Sequence, residues 1–277
     1  MKLTLGFSSC PNDTFIFDAA VHHKIDTEGI DFDLTIADVE ELNKQAFNAE
    51  IDITKLSYHA YAYVAENYAL LDSGSALGRN NGPLLISKKK IYPDEIKYLK
   101  IGIPGKYTTA NLLLGIAYPD AKNKKEYLFS DIENALLDNE IDAGLIIHEN
   151  RFTYKEKGLK KIIDLGEFWE NLTSMPIPLG GIVVNRNLSV EIQKKINRIV
   201  RKSIEFAYKN PESAINYIKQ FAQEMNPEIM YKHIDLYVNE YSIDLGKTGK
   251  EAIKRLYTEA AGRNLINKIN ENIFIKQ

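Results

Sequence analysis

Residues 139–151 read Asn139-Glu140-Ile141-Asp142-Ala143-Gly144-Leu145-Ile146-Ile147-His148-Glu149-Asn150-Arg151, and residues 49–53 read Ala49-Glu50-Ile51-Asp52-Ile53. Each stretch closes a run of helical periodicity and opens a short apolar run of strand type. From residue 1 to about 185 the chain keeps alternating in this way, which is the pattern of βα units around a largely parallel sheet. The two stretches hold corresponding places in two such series, so the chain reads as two α/β lobes built on similar plans.

Working outward, Leu3-Thr4-Leu5-Gly6-Phe7 is the first strand, and Ser8 to Thr14 stops it with turn residues. Asn12, Asp13 and Thr14 are candidate caps for a helix carrying Phe15, Ile16 and Val21. Residues 31–36 and 51–56 are further strands, with a helix over 38–48 between them. The series restarts at a strand over 98–103, broken by Pro104-Gly105, and Thr108-Thr109 precedes a helix with Leu112, Leu113 and Ile116. A helix over 130–139 leads into a strand over 141–147. After Gly180-Gly181 residues 182–185 make the last strand, and the remainder is helical. Asn210-Pro211 and Asn226-Pro227 each put a capping residue before a proline at the first helical position. The expected division is a larger lobe from 1–90 and 178–277 and a smaller inserted lobe from 91–177, with a ligand cleft between them.

The 277 residues carry 35 Lys and Arg against 38 Asp and Glu, a net charge of −3, which gives no basic field for nucleic acid or anionic membrane. One cysteine, Cys10, excludes an internal disulfide and any zinc site needing two thiolates of the chain. No stretch has the length of a membrane span, and residues 1–7 lack the apolar core of a secretory signal. The expectation is a cytoplasmic protein with a small-molecule partner; whether it forms a homodimer is left open.

In open α/β sheets ligands bind beyond the carboxyl ends of strands, and there the chain places Ser8 to Thr14, Lys55-Leu56-Ser57, Lys106 to Ala110, and His148 to Arg151. Unpaired amides at the helix start after Thr108 suit an anion, with Thr109 and Ala110 nearest it; the competing account is that Thr109 only caps its helix. His148 follows a fully apolar strand and is the sharpest proton-acceptor candidate, with Glu149 or another nearby carboxylate to orient it. Arg79, in the loop Gly78 to Pro83, is a weaker anion contact. No histidine spacing of metalloenzyme type occurs, and neither do the dinucleotide, P-loop or nucleophile-elbow motifs, so no metal or cofactor is expected.

The set Ser9-Cys10-Pro11-Asn12-Asp13-Thr14-Phe15, Thr54-Lys55-Leu56-Ser57-Tyr58, Gly82-Pro83-Leu84, Pro104-Gly105 with Thr108-Thr109-Ala110, Gly144 to Glu149 with Arg151-Phe152-Thr153-Tyr154, and Pro178-Leu179-Gly180 resembles the 1,4-dihydroxy-6-naphthoate synthases of the futalosine route to menaquinone. That resemblance implies an α/β, two-lobed periplasmic-binding-protein-like (type 2) fold with a central cleft and a helical C-terminal segment. It implies a lyase that converts cyclic dehypoxanthinyl futalosine to the naphthoate without metal or organic cofactor. His148 falls on the family's proton acceptor, and Lys55-Leu56-Ser57 and Thr109-Ala110 on its substrate-contacting segments. Asn12, Asp13, Thr14, Arg79, Thr108 and Arg151 are further cleft candidates. The family tends to have glycine where this chain has Asn80. The competing readings are chorismate dehydratase of the same pathway and a non-catalytic carboxylate-binding protein.

Overall fold

A computed structural model describes residues 1–221 and 226–276 of the chain. Eleven strands are present among them: β1 (Lys2–Phe7), β2 (Asp31–Ile36), β3 (Ile53–Ser57), β4 (Tyr68–Leu70), β5 (Ala76–Gly78), β6 (Leu84–Ser87), β7 (Ile101–Ile103), β8 (Lys124–Glu126), β9 (Ala143–Ile146), β10 (Lys160–Asp164) and β11 (Ile177–Asn185). They form two sheets. The first has the order β2-β1-β3-β11-β4, with β5 also paired to β11; the second has the order β10-β6-β9-β7-β8.

Each sheet is built on the same parallel triplet. In the first, β1 lies between β2 and β3; in the second, β7 lies between β8 and β9. The repeated five residues hold equivalent positions in these triplets. Ala49 and Asn139 both take left-handed backbone conformations, φ 54° and 58°, that end the preceding helical segment. Asp52 then accepts the amide of Thr4 at 2.9 Å ahead of β3, and Asp142 accepts the amide of Lys100 at 2.8 Å ahead of β9. One carboxylate in each lobe thus fixes the start of the third strand against the first.

Three corrections follow from the pairing. The sheets are mixed rather than largely parallel, because β11 runs antiparallel to β3, β4 and β5, and β6 runs antiparallel to β9 and β10. These two strands carry the chain across: β6 delivers it to the second sheet and β11 returns it to the first. Leu84–Ser87 therefore belongs with the second sheet, although the reading over 1–90 assigned it to the first. An apolar run alone does not say which sheet it will join. β11 also begins at Ile177, not 182, since the register shift between Pro178 and Gly180 accommodates the proline inside a strand.

Helix Pro11–Val21 starts with proline at its first position after Cys10, so Asn12, Asp13 and Thr14 lie inside the helix and do not cap it. It is buried nearly all round, and Ser203 of helix Val190–Lys209 stitches the two helices together, donating to the Ile16 carbonyl at 2.6 Å and accepting from the Ala20 amide at 3.1 Å. Asp38, Thr108, Asp164, Ser189 and Asn226 cap their helices through side-chain oxygens.

At the first crossing Gly82 runs against Gly166: a Cβ on Gly82 would meet the Gly166 backbone at 2.2–2.3 Å. Backbone atoms cannot swing aside as a side-chain end would. Gly82→Ala is expected to lower unfolding free energy by about 1–3 kcal/mol, read by urea denaturation; an unchanged midpoint would show that the crossing is looser than drawn.

Candidate active site

The ends of β1, β3, β7 and β9 converge on one cavity between the two sheets. Ser8, Asn12 and Asp13 reach it after β1, Lys55, Leu56 and Ser57 at the end of β3, Thr108, Thr109 and Ala110 after β7, and His148 after β9. Four segments chosen from sequence for their strand-end positions therefore border the same space.

Its floor is a buried ion pair. Lys55 Nζ lies 2.8 Å from Asp13 Oδ1, with side chains only 7% and 2% exposed. Asp13 also accepts from Asn12 Nδ2 at 2.8 Å and from the Ser8 hydroxyl at 2.7 Å. A buried carboxylate with this many donors holds its ammonium partner in one position, as isolated buried charges cannot be held. Lys55 has three N–H donors, and the carbonyl of Gly74 at 3.5 Å is its other acceptor.

His148 sits just beyond β9 with φ 57°, a conformation that histidine adopts more readily than most side chains. Its Nδ1 lies 3.4 Å from Cys10 Sγ across the cleft, and its buried Nε2 has no hydrogen-bond partner among the described residues. Phe129 stands edge-on at 4.9 Å and the ring of His233 stacks at 6.0 Å. Desolvation lowers the pKa of His148 to about 4, with Asp13 pulling it up and Lys55 pushing it down. Burial likewise raises the Cys10 thiol, and Glu149 adds to the rise. Cys10, not Glu149, meets Nδ1 of His148, and Glu149 faces the ring of His233, Oε2 to Nδ1 at 3.8 Å. His233, fully buried, meets Asn12 Oδ1 through Nε2 at 2.9 Å.

The threonines divide their tasks. Thr108 caps helix Thr109–Ala117, accepting the Asn111 amide at 3.3 Å. The Thr109 hydroxyl instead donates to the Leu179 carbonyl at 2.5 Å and accepts the His59 amide at 3.2 Å. It is a latch between lobes. The amides of Thr109 and Ala110 are the first two of the helix, have no acceptor inside it, and border the cavity. His59 donates from Nδ1 to the Thr108 carbonyl at 3.1 Å, and Glu40 accepts the Tyr107 amide at 3.0 Å, so the same interlobe seam is closed at two further points. Ser57 is held from both sides by Asn43, whose Nδ2 donates to Oγ and whose Oδ1 accepts from the Ser57 amide.

Three candidates lie elsewhere. Thr14 is buried within its helix, its hydroxyl on the Cys10 and Pro11 carbonyls. Arg79 is exposed and paired with Glu170 at 3.4 Å. Arg151 holds the crossing, donating to the Gly82 carbonyl and to Asp164 at 3.0 Å. Conversely, Asn81 and Tyr237 line the cavity although neither is a candidate from sequence, and Leu179 and Gly180, which the sequence offers only within a resembling segment, line it too. Asn81 was hidden by glycines read as turn residues, and Tyr237 and His233 by a helical stripe typical of ordinary packing.

Two α/β lobes meeting at a mostly apolar cavity edged by a few polar groups define a fold of the periplasmic-binding-protein type, seen also in a structural likeness to a Candida albicans protein described as having the generic periplasmic binding protein fold (TM-score 0.68, 12% identity, 100% of this chain and 98% of that one). The family model for menaquinone biosynthesis matches residues 3–262, and the chain belongs to that family. A curated 1,4-dihydroxy-6-naphthoate synthase of Thermus thermophilus is 40% identical over 273 residues, covering 99% of each chain. The crystal structure of an Archaeoglobus fulgidus protein superposes with a TM-score of 0.91 at 38% identity, covering 96% of this chain and 98% of that one.

Removing one partner of the buried pair strands the other. Lys55→Met should cost about 3 kcal/mol of stability, and Asp13→Asn with Lys55→Met together should recover part of that loss. Chemical denaturation of Lys55→Met, Asp13→Asn and the double variant checks it; a double-variant cost equal to the sum of the two single costs would mean that the two charges do not act as a pair.

Proposed function

We propose that the chain is a 1,4-dihydroxy-6-naphthoate synthase: a lyase that takes cyclic dehypoxanthinyl futalosine to the naphthoate and releases the sugar-derived fragment, acting in the cytosol. The observation that carries the proposal is that an imidazole nitrogen with no partner among the described residues and a helix tip whose first two amides have no acceptor inside the helix border one cavity. Family membership and the Thermus relative support the same reading.

In this scheme the substrate carboxylate docks on the Thr109 and Ala110 amides, where the positive end of the helix dipole favours it. The Ser57 hydroxyl and the remaining donor capacity of Lys55 contact substrate oxygens. His148 accepts a proton through Nε2, the carbon–carbon bond to the sugar-derived portion breaks, and aromatisation of the new ring draws the reaction forward. The Cys10 contact at Nδ1 fixes the ring while leaving the other nitrogen for chemistry. Interlobe hydrogen bonds through Thr109, His59 and Glu40 close the cleft, exclude water and hold the reacting groups in register. The lobes of this scheme divide at the two crossings, near residue 82 and near residue 177.

The depressed pKa of His148 sets the pH behaviour. With a pKa of about 4 in the empty cleft the ring is neutral, and so able to accept a proton, at every pH above roughly 5. Protonation at lower pH removes the base. The acid limb of kcat/KM should therefore fall below pH 5, not near the 6.5 of a free imidazole. A limb near 6.5 would contradict the desolvated site.

Purified protein incubated separately with the cyclic futalosine derivative and with chorismate, followed by mass spectrometry, should yield the naphthoate from the first and leave the second unchanged. Dehydration of chorismate would assign the chain to the other reaction, and both compounds returned intact would leave a binding protein. His148→Ala should lower turnover about 10²-fold or more with substrate binding retained; near-wild-type turnover rejects its role as base.

A further inference from the structure

Asn81 is fully buried and borders the cavity, yet neither its Oδ1 nor its Nδ2 has a hydrogen-bond partner among the described residues. A buried amide normally satisfies both ends, because each unsatisfied end carries a desolvation penalty. Its placement is also enforced. A Cβ on Gly78 would lie 2.8 Å from Asn81 Nδ2, so that glycine leaves the space the amide occupies, and Asn81 stands one residue before the Gly82–Gly166 backbone contact.

An amide offers a donor and an acceptor side by side. A carboxylate can satisfy only the donor, whereas a hydroxyl accepts from Nδ2 and donates to Oδ1. Building on the lyase reading above, we infer that Asn81 is a specificity-determining substrate contact that binds a hydroxyl of the sugar-derived portion, at a place separate from the carboxylate dock at Thr109 and Ala110. The naphthoate product lacks that portion, so the contact is lost when the fragment leaves. Asn81 thereby discriminates the intact substrate from the product.

Asn81→Leu and Asn81→Ala test it, each measured for thermal stability, for KM with the cyclic futalosine derivative, and for the inhibition constant of the naphthoate. Asn81→Leu replaces two orphaned polar atoms by a side chain of similar size, so its Tm should equal or exceed that of the wild type. KM should rise about tenfold or more in both variants, the equivalent of one lost hydrogen-bonded contact at 1.4 kcal/mol per tenfold. Product inhibition should stay within about twofold, as expected where no contact is lost. Gly78→Ala, which crowds the amide, should give the same split. Equal weakening of substrate and product would overturn the inference by placing Asn81 at a group that the product keeps, its carboxylate or a ring hydroxyl. A lower Tm for Asn81→Leu with unchanged KM would overturn it by making the residue structural. A wild-type protein that does not turn the compound over would sink the lyase reading itself, which the stability data alone would not.

Discussion

Lys55 and Asp13 oppose one another where water has almost no access, and the site is arranged about that pair. The lysine is at the end of β3 and the aspartate in the first turn after β1, so their attraction draws together the carboxyl ends of two neighbouring strands. Buried charges of this kind are costly unless hydrogen bonds saturate them, and Ser8 and Asn12 provide those bonds to Asp13. Asn12 in turn accepts from His233, which stacks on His148. The pair therefore reaches the imidazole by two routes, through its opposed fields and through a chain of packed polar groups. A substitution in the pair disturbs fold and site together.

The second constraint is the double crossing. Because β6 opens the second sheet and β11 returns the chain to the centre of the first, the first sheet is completed only after the second has been laid down. The contacts near the crossings are correspondingly tight: Gly82 against Gly166, and Gly180 beneath the Leu56 carbonyl, where a Cβ would come within 2.7 Å. Small residues here allow strands to approach at the mouth of the cavity, so that Leu179 and Gly180 line it while the Leu179 carbonyl receives the Thr109 hydroxyl. The seam is made of backbone groups and short side chains, which fixes the distance between the lobes more firmly than long flexible side chains would.

What the sequence made legible follows from what each feature depends on. The βα alternation, the repeat at Asp52 and Asp142, and the helix start at Thr108 rest on local periodicity and capping, and the structure places all three where the sequence reading had them. Strand direction depended on distant partners, so the antiparallel β6 and β11 were not visible in their own residues. At the site, residues at strand ends could be named from topology, and most of them border the cavity. Thr14, Arg79 and Arg151 share those segments but turn to local partners instead. Asn81 and His233 reach the site from a loop and from a distant C-terminal helix, and only three-dimensional proximity distinguishes them from ordinary turn and core residues.

The internal repeat also shows where the two halves part company. Setting Ile53 beside Ala143, as the pairing with Leu5 and Ile101 requires, brings Tyr58 opposite His148. In the first half the chain enters a helix at once, and the tyrosine is buried against Ser75, its hydroxyl 2.7 Å from Oγ. In the second half the chain takes a left-handed step at φ 57°, a conformation costing on the order of 1 kcal/mol for a residue other than glycine. That step postpones the next helix to Asn150–Thr153 and brings the imidazole to the cavity in place of a core aromatic. One lobe uses the strand end to pack a tyrosine and the other to present an imidazole to the cavity, and the local strain at His148 is the backbone cost of that difference.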